Sequence, residues 1–303
     1  MSKLRVKTVT AALQPWFEIR EAISKAPEGV ALGVAVRDLD TGAAFGHFDR
    51  LVFPAASTIK LVVLVALARA IDDGRLNLED RRPVLSNQRV EGSGVLNWLE
   101  TGLDLSIHDH AWLMIAISDN TASNVLIDTI GIPTIHEAQR SLGLESASLN
   151  RRFLGRLPAN GEPENVACAR DLVTILVEIA DGSAASPEQC GWMLRLLGDQ
   201  QHTARLARHL SVGFTFAGKS GSLTGLAHDA GLIRGPGGGA AVAVLTQGFD
   251  DSYAADAFIG TIASAVINDL GLAQVNALSG PEQSIDNTAQ QRSPGIHRRR
   301  IST

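Results

Sequence analysis

A serine and a lysine three residues apart form the first pair in the sequence that could do chemistry. Ser57 and Lys60 stand in the stretch FPAASTIK, directly before an apolar run that starts at Leu61. The run predicts a buried helix, and the spacing places hydroxyl and amine on one face of its first turn. A free backbone N–H at a helix start can also donate to an oxyanion. The pair offers a nucleophile, a base and an oxyanion donor, although a capping serine beside a surface lysine has the same spacing.

Lysine is scarce in this chain, which makes the two lysines beyond Lys25 informative. Only five of the 27 basic residues are lysines, and after Lys25 they occur at Lys60 and Lys219 alone. An ammonium can lose its proton when burial lowers its pKa, whereas a guanidinium stays charged. We therefore expect these two lysines to perform chemistry that arginine cannot.

Two further motifs contain groups that could assist the serine. Residues 118–120 (Ser-Asp-Asn) lie between two apolar helical runs, which predicts an interhelical corner. Residues 219–221 (Lys-Ser-Gly) follow a strand-like segment. Each motif alone fits an ordinary cap or turn. Together with the first pair they form the ordered set S-x-x-K, S-D-N and K-[ST]-G.

These motifs, in this order, resemble those of class A serine β-lactamases and of the wider superfamily of penicillin-binding-protein-like serine hydrolases. The resemblance covers most of the chain and includes the segment KSGSLTGLAHDAG, which is similar to the family's strand, turn and return strand. It implies an α/β (α+β) fold. In that fold an antiparallel sheet is flanked by helices, an all-helical domain is inserted, and the active site lies between the two parts.

The resemblance also implies catalytic roles. Ser57 attacks an acyl carbonyl and forms an acyl-enzyme, and Lys60 accepts the serine's proton directly or through water. Ser118 relays a proton to the leaving atom. The backbone N–H groups of Ser57 and Ser222 form the oxyanion hole, and Lys219 places positive charge near a substrate carboxylate.

Three further residues are implied to bind the substrate. Asn120 offers its side-chain amide, and the Ser220 hydroxyl assists Lys219. Gly221 follows Ser220 on the same predicted strand. The expected substrate is a small molecule that carries a carboxylate. The resemblance implies no cofactor and no metal.

The loop that should carry the deacylating glutamate departs from the family pattern. Class A β-lactamases use a glutamate there to activate the water that frees the acyl-enzyme. Here residues 149–165 read LNRRFLGRLPANGEPEN, and Glu162 superficially matches. It lies several residues farther along the chain than the family's glutamate, so it is the weaker candidate for deacylation.

Aligning the start of this loop gives a different correspondence. Phe153 or Leu154 then takes the place of the glutamate, and Asn165 takes the place of the loop-closing acidic residue opposite Arg151. We expect that no glutamate is positioned for deacylation, and that hydrolysis of the intermediate is slow or uses another group.

Three functions remain open at this stage. The first is a serine acyl hydrolase of the class A type that acts on β-lactam amides or a related small amide or ester. The second is an acyltransferase, esterase or peptidase of the same fold with slow deacylation. The third is a protein that binds a β-lactam or peptide without turnover, although such a binder has no need of Lys60 and Ser118.

Three other groups of residues receive structural interpretations. His228 and Asp229 are predicted to form a structural hydrogen-bonded pair rather than to contact substrate. A cluster of acidic and histidine residues resembles a metal site by composition, but its position at a helix start favours capping by Ser106 and Asp109. The two cysteines are predicted to be small buried thiols. The second and third groups comprise Asp104, His108, Asp109, His110, Cys168 and Cys190.

The elements that must position the motifs divide by chain region. Short apolar strand-like segments occupy both ends, at 30–36, 214–219, 228–234 and 240–247, and helical periodicity dominates the middle, including 203–206. The simplest solution is one antiparallel sheet built from both ends with a helical part inserted. We assign residues 1–54 and 209–278 to the α/β half, 55–208 to the helical half and 279–303 to a disordered tail.

Composition excludes several classes of protein. The chain has 303 residues, 45% hydrophobic and 19% charged, with a net charge of −5, which indicates a globular protein without a basic surface for nucleic acid or anionic membranes. No apolar run approaches the roughly 20 residues that span a bilayer. The first residues lack a signal-like apolar run, so we expect a cytoplasmic protein. Oligomeric state stays open.

Overall fold

The computed structural model describes residues 16–156 and 158–274. Its α-helices are α1 (Phe17–Ser24), α2 (Lys60–Asp72), α3 (Ile107–Ala116), α4 (Asn120–Ile130), α5 (Ile132–Ser141), α6 (Ala169–Ala180), α7 (Pro187–Gly198) and α8 (Ser252–Asp269). Its strands are β1 (Ala31–Asp38), β2 (Ala44–His47), β3 (Phe53–Pro54), β4 (Arg81–Pro83), β5 (Asp104–Ser106), β6 (Val166–Ala167), β7 (Thr215–Leu223), β8 (Leu226–Gly235) and β9 (Gly238–Gln247).

A five-stranded antiparallel sheet joins the two ends of the chain. Its strand order is β2-β1-β9-β8-β7, so the early strand β1 pairs with the late strand β9. Two-residue turns connect β7 to β8 and β8 to β9, and Gly225 in the first turn has a φ of 73° that suits glycine. The predicted mixed fold with an antiparallel sheet is confirmed.

Each face of the sheet carries its own apolar core. One core packs α1 and α8 against residues such as Val34 and Val244. The other packs the helical middle of the chain against residues such as Ala243 and Leu245, which alternate with the first set along β9. Helix α2 lies within this second core, and ten of its 13 residues are buried, as its continuous apolar run predicts.

Some predicted elements differ from the observed ones. Residues 203–206 are not helical: 204–205 form a bend and a turn begins at 206, where the Leu206 N–H donates to Asp229 Oδ2 at 3.1 Å instead of to a helix carbonyl. Strand β2 was not predicted, since its four residues carry no strong alternation. The boundaries at 54/55 and 208/209 stay predictions, and the tail at 279–303 lies outside the described residues.

The structural interpretations of the cysteines and of the acidic cluster are confirmed. Cys168 and Cys190 are buried free thiols. Ser106 caps α3 by accepting the Asp109 N–H at 3.0 Å, and the Asp109 carboxylate accepts the Ser106 N–H in return. In the described part of the chain, no group of three or more histidine, cysteine or acidic side chains could hold a metal ion. No helix there has the length and apolarity of a membrane span.

Candidate active site

Ser57 lies in a short 3₁₀ turn, Ala56–Ile59, that leads directly into α2. Ala56 has a φ of 48°, a left-handed conformation that costs a non-glycine residue about 1–3 kcal/mol and persists only where the surroundings hold it. The surroundings do so here, because the Ala55 N–H donates to Asn165 O at 2.7 Å and the Thr58 hydroxyl donates to Ala55 O at 2.7 Å. The strained turn sets the orientation of the serine.

Strand β7 passes very close to this turn at Gly221. A Cβ at that position would lie 3.0 Å from the Ser57 nitrogen and 3.1 Å from the Thr58 nitrogen. Any side chain would push the strand away from the serine, so glycine is required for this approach. Ser222 follows on the same strand and lines the cleft together with Ser57. The two residues predicted to form the oxyanion hole therefore lie in the same cleft.

The cleft beside Ser57 has two lobes. The smaller, of about 100 Å³, includes Asn120, Phe153 and Leu154 in its lining. The larger, of about 330 Å³, includes Ser118 and residues 220–222. Ser57 and Ser222 line both lobes. A ligand bonded to the serine can thus extend to either side.

Lys60 is fully buried and makes three hydrogen bonds at the first turn of α2. Its ammonium donates to Ser118 O at 2.7 Å, to Ser118 Oγ at 3.2 Å and to Asn120 Oδ1 at 2.9 Å. Burial holds the pKa of Lys60 well below its ordinary value, the positive charge of Lys219 lowers it further, and Asp119 opposes both effects. Lys60 can therefore exist as a neutral amine, the form that accepts a proton.

The corner between α3 and α4 brings Ser118 and Asn120 to this lysine. Ser118 has a φ of 60°, and Asp119 caps α4 by accepting the Ala122 N–H at 2.8 Å. The other oxygen of Asp119 accepts two backbone N–H groups, those of Val95 and Leu96, which attaches the loop before α3 to the corner. Within this motif, Asp119 therefore caps α4 while Ser118 and Asn120 contact Lys60.

Lys219 is also fully buried, and its ammonium donates to Ser220 O at 2.8 Å. Burial lowers the pKa of Lys219 to about 7; the Asp229 carboxylate opposes this change and the Arg205 guanidinium adds to it. The Ser220 N–H donates to Gln200 Oε1 at 2.7 Å. Gln200 holds the outer edge of β7 in place, and no signal in the sequence indicated it.

Arg205 is a second residue that the sequence did not indicate. It is buried and bonds to Asp256 Oδ1 at 2.6 Å and to Ser222 Oγ at 2.7 Å. Its Nη1 donates to the carbonyls of Gly221 and His228, at 2.8 and 2.7 Å. The guanidinium thus ties the ends of β7 and β8 together at the wall of the larger lobe.

Phe153 packs against the buried Lys60. The Lys60 ammonium lies 4.4 Å from the centroid of its ring, and the phenylalanine is 9% exposed. Asn124 holds the backbone of Phe153 by accepting its N–H at 2.9 Å and donating to its carbonyl at 3.1 Å. Of the two predicted occupants, Phe153 contacts the lysine. Asn124 could have been found from its position one helical turn after Asn120.

The structure does not bring Glu162 to this cluster. Its carboxylate is exposed and pairs with Arg156 at 2.7 and 3.0 Å, which lowers the pKa of Glu162 to about 2 together with the Ala159 N–H. Glu162 is absent from the lining of both lobes. A carboxylate in this setting is a poor base.

Loop closure uses one residue more than predicted. The Asn165 amide accepts the N–H groups of Asn150 and Arg151 at 2.8 and 3.0 Å, so it replaces the acidic residue as a cap. The Arg151 guanidinium pairs instead with Glu164 at 2.8 Å. The sequence signal for this ion pair was Glu164, the acidic residue directly before Asn165.

The predicted hydrogen-bonded pair of His228 and Asp229 is wrong, because each side chain bonds to other partners. His228 Nε2 lies 2.9 Å from Pro54 O, and its Nδ1 accepts the Thr246 N–H. Asp229 accepts the Leu206 N–H, and burial raises its pKa to about 6. Successive residues of β8 point to opposite faces of the sheet, which explains why the two do not pair.

Comparison with known proteins agrees with this geometry. Residues 15–270 match the model of a family described as the β-lactamase enzyme family. A β-lactamase from Rhodobacter capsulatus is 25% identical over 248 residues, which cover 80% of this chain and 84% of the relative.

Two solved structures extend the comparison. The β-lactamase from Sphaerobacter thermophilus DSM 20745 has 37% sequence identity and a TM-score of 0.82, covering 86% of this chain and 99% of its own. A leucine-to-glutamate variant of PBP-A, in an acyl-enzyme complex with penicillin G, has 28% identity and a TM-score of 0.77, covering 84% of this chain and 96% of its own. On the family match, the chain belongs to the β-lactamase enzyme family and is a hydrolase of the serine β-lactamase type.

Proposed function

We propose that this protein reacts with β-lactams through Ser57, forms an acyl-enzyme, and releases the product slowly. The observation that carries the proposal is the environment of Lys60, whose ammonium contacts Ser118 and Asn120 on one side and the Phe153 ring on the other. The polar side supports acylation. The Phe153 ring supplies no base, and Glu164, which lines the smaller lobe, is held in an ion pair with Arg151 at 2.8 Å.

Acylation begins when the neutral amine of Lys60 takes the proton of the Ser57 hydroxyl. The serine oxygen adds to the lactam carbonyl, and the backbone N–H groups of Ser57 and Ser222 stabilise the oxyanion. The ring C–N bond then breaks, and the proton passes from Lys60 through Ser118 to the leaving nitrogen. The bond of 3.2 Å between Lys60 Nζ and Ser118 Oγ supports this relay.

A substrate carboxylate fits the larger lobe. Arg205, Ser220 and Ser222 line it, and the buried Lys219 directly precedes Ser220 on β7. With a pKa of about 7, Lys219 carries a positive charge in a substantial fraction of molecules at neutral pH. These charges and donors support a small anionic substrate.

Hydrolysis requires a water activated close to the acyl carbonyl. General bases contribute about 10²–10⁴-fold to such steps. Phe153 contains no proton acceptor, Glu162 is paired with Arg156, and Glu164 in the lining of the smaller lobe is paired with Arg151. We therefore propose that the acyl-enzyme outlives the acylation step by a wide margin.

A second function follows from the same feature. An acyl-enzyme protected from water can pass its acyl group to another nucleophile, so an acyltransferase, esterase or peptidase with a different natural substrate has the same structural support. In that case the β-lactam acts as a substrate analogue. The leucine-to-glutamate variant of PBP-A, solved as an acyl-enzyme with penicillin G, supports covalent reaction of a similar fold with a β-lactam, the first step that both functions share.

The test is to incubate the protein with penicillin G and with a chromogenic cephalosporin and to follow its intact mass over time. We expect an adduct of the full β-lactam mass on Ser57, absent in Ser57→Ala and persisting long after free β-lactam is removed. Rapid loss of the adduct with many turnovers would contradict slow release. Absence of any adduct would contradict β-lactam recognition altogether.

A further inference from the structure

We propose that His228 is a positioning residue for the reaction: it fixes the turn that carries Ser57 against the sheet. The proposal rests on the proposed acylation of Ser57. His228 lies on β8, outside the three motifs, and lines neither lobe of the cleft. It acts through the backbone of Pro54, three residues before the nucleophile.

Both ring nitrogens of His228 are used, which determines its tautomer. The Thr246 N–H is a donor, so Nδ1 at 3.2 Å must accept. The proton therefore resides on Nε2, which donates to Pro54 O at 2.9 Å. The imidazole has no exposed surface, and the Phe53 ring packs edge-on against it with centroids 5.6 Å apart. Burial lowers the pKa of His228 to about 4, so the neutral form persists at neutral pH.

His228 and Gly221 hold the two ends of the nucleophile segment. They are directly opposite one another on β8 and β7. Gly221 approaches the Ser57 nitrogen, and His228 holds the Pro54 carbonyl. The guanidinium of Arg205 donates to the carbonyls of both residues of this cross-strand pair, which fixes the pair itself.

The segment needs such attachment because Ala56 is strained. Its φ of 48° relaxes unless the residues on both sides are held. On the side before Ala56, the attachments are the pairing of β3 with β6, the bond from Ala55 N–H to Asn165 O and the bond from His228 Nε2–H to Pro54 O. Loss of the histidine bond removes the attachment of this side to β8 and leaves the bonds to β6 and to Asn165. A displacement of about 1 Å at the serine can cost on the order of 10²-fold in rate.

A matched pair of variants separates the two bonds of the ring. His228→Gln retains a donor at the position of Nε2 and loses the acceptor for Thr246. His228→Asn retains an acceptor at the position of Nδ1 and loses the donor for Pro54. We measure the maximal acylation rate constant and the pre-acylation binding constant by stopped flow with a chromogenic cephalosporin, and thermal unfolding for both variants.

We expect the rate constant of His228→Asn to fall about 10- to 100-fold with its binding constant within about twofold of the wild type. The acylation rate constant of His228→Gln should stay within about threefold of the wild type, even if its melting temperature falls as far as that of His228→Asn. Equal losses in both variants that follow thermal stability would overturn the proposal, since a merely structural histidine predicts that result.

Two arms cover the remaining outcomes. If His228→Asn does not fold, Phe53→Leu removes the ring that packs on the imidazole and should lower the acylation rate constant about two- to fivefold; an unchanged rate would contradict the proposal. A fluorophosphonate probe, which needs an active serine but no β-lactam recognition, is run in parallel. If β-lactams fail to acylate the wild type while the probe labels Ser57, the proposed function fails and the probe rates of the two variants still test His228.

Discussion

The two sides of the cleft at Lys60 differ in chemistry although they meet at one ammonium. Toward the corner between α3 and α4, three oxygen atoms of Ser118 and Asn120 accept hydrogen bonds from it. Toward the loop at 149–165, the Phe153 ring covers it at 4.4 Å. The first side supplies hydrogen-bond acceptors to the ammonium, and the second supplies an aromatic ring.

In the proposed mechanism, the two halves of the hydrolytic cycle depend on separate parts of the fold. Acylation groups are fixed by helix starts and strand backbone, where burial and capping leave little freedom. The group for deacylation depends on one position of a loop whose backbone is held by Asn124, whatever side chain it carries. The loop can thus keep its shape while its chemistry changes.

The largest effect is expected on the polar side. Lys60→Arg should lower the acylation rate at least about 10³-fold, because arginine does not deprotonate and cannot act as the base. The measurement is adduct formation by intact mass, with Ser57→Ala as the control for labelling elsewhere. Acylation that survives in Lys60→Arg would remove Lys60 from the role of base and end the contrast between the two sides.

On the side of Phe153, the variant Phe153→Glu should add a general base for deacylation. A glutamate carried by the same backbone next to Lys60 should shorten the lifetime of the acyl-enzyme about 10²–10⁴-fold. Leu154→Glu is the matched control, since it adds the same group one position along the loop and should change the lifetime far less. Equal acceleration in both variants would show that position on the loop does not matter.

The buried Lys219 should make substrate binding depend on pH. As pH rises through about 7, Lys219 loses its proton, so affinity for a carboxylate-bearing substrate should fall by up to about tenfold per pH unit. Lys219→Arg keeps its charge and should abolish this decline while acylation continues. The pre-acylation binding constant is measured from pH 6 to about pH 9. A decline that persists in Lys219→Arg would assign the titration to another group.

The loop itself can be tested through Asn124. Asn124→Ala leaves the buried N–H and carbonyl of Phe153 without their side-chain partner, which should cost about 1–3 kcal/mol of unfolding free energy. Denaturant titration measures the loss, and Asn150→Ala, which removes an exposed amide of the same loop, should cost less. A smaller loss in Asn124→Ala than in Asn150→Ala would contradict its anchoring role.

The smallest effect is expected at Glu162. Glu162→Gln breaks an exposed pair with Arg156, so the lifetime of the acyl-enzyme should stay within about twofold of the wild type. The measurement is the same decay of the adduct. A marked lengthening would bring Glu162 into deacylation and weaken the contrast between the two sides.

Much of the site followed from the sequence because its motifs are local. Ser57 and Lys60 share one turn, and Ser118 and Asn120 share one corner, so short spacings largely determine their geometry. The scarcity of lysine pointed to Lys60 and Lys219 before any fold was considered, and both are fully buried. The antiparallel sheet from both chain ends was predicted for the same reason, since each strand carries its own pattern.

Other features could not be read from the sequence because they depend on distant segments. Arg205 and Gln200 bond to β7 and β8 from a turn with no recognisable motif. The choice of Phe153 over Leu154 required knowledge of which side chain faces Lys60. The cytoplasmic location and the roles assigned to the motif residues stay predictions.

By itself, the sequence determined which chemical groups are present and the order in which the chain supplies them. Only the tertiary structure decided how those groups behave. Burial lowers the pKa of Lys60 and of Lys219, the cross-strand pair Gly221 and His228 contacts the segment that carries Ser57, and the Phe153 ring packs against Lys60. The physical reason is that desolvation and close approach arise only when residues far apart in the chain exclude water from one another.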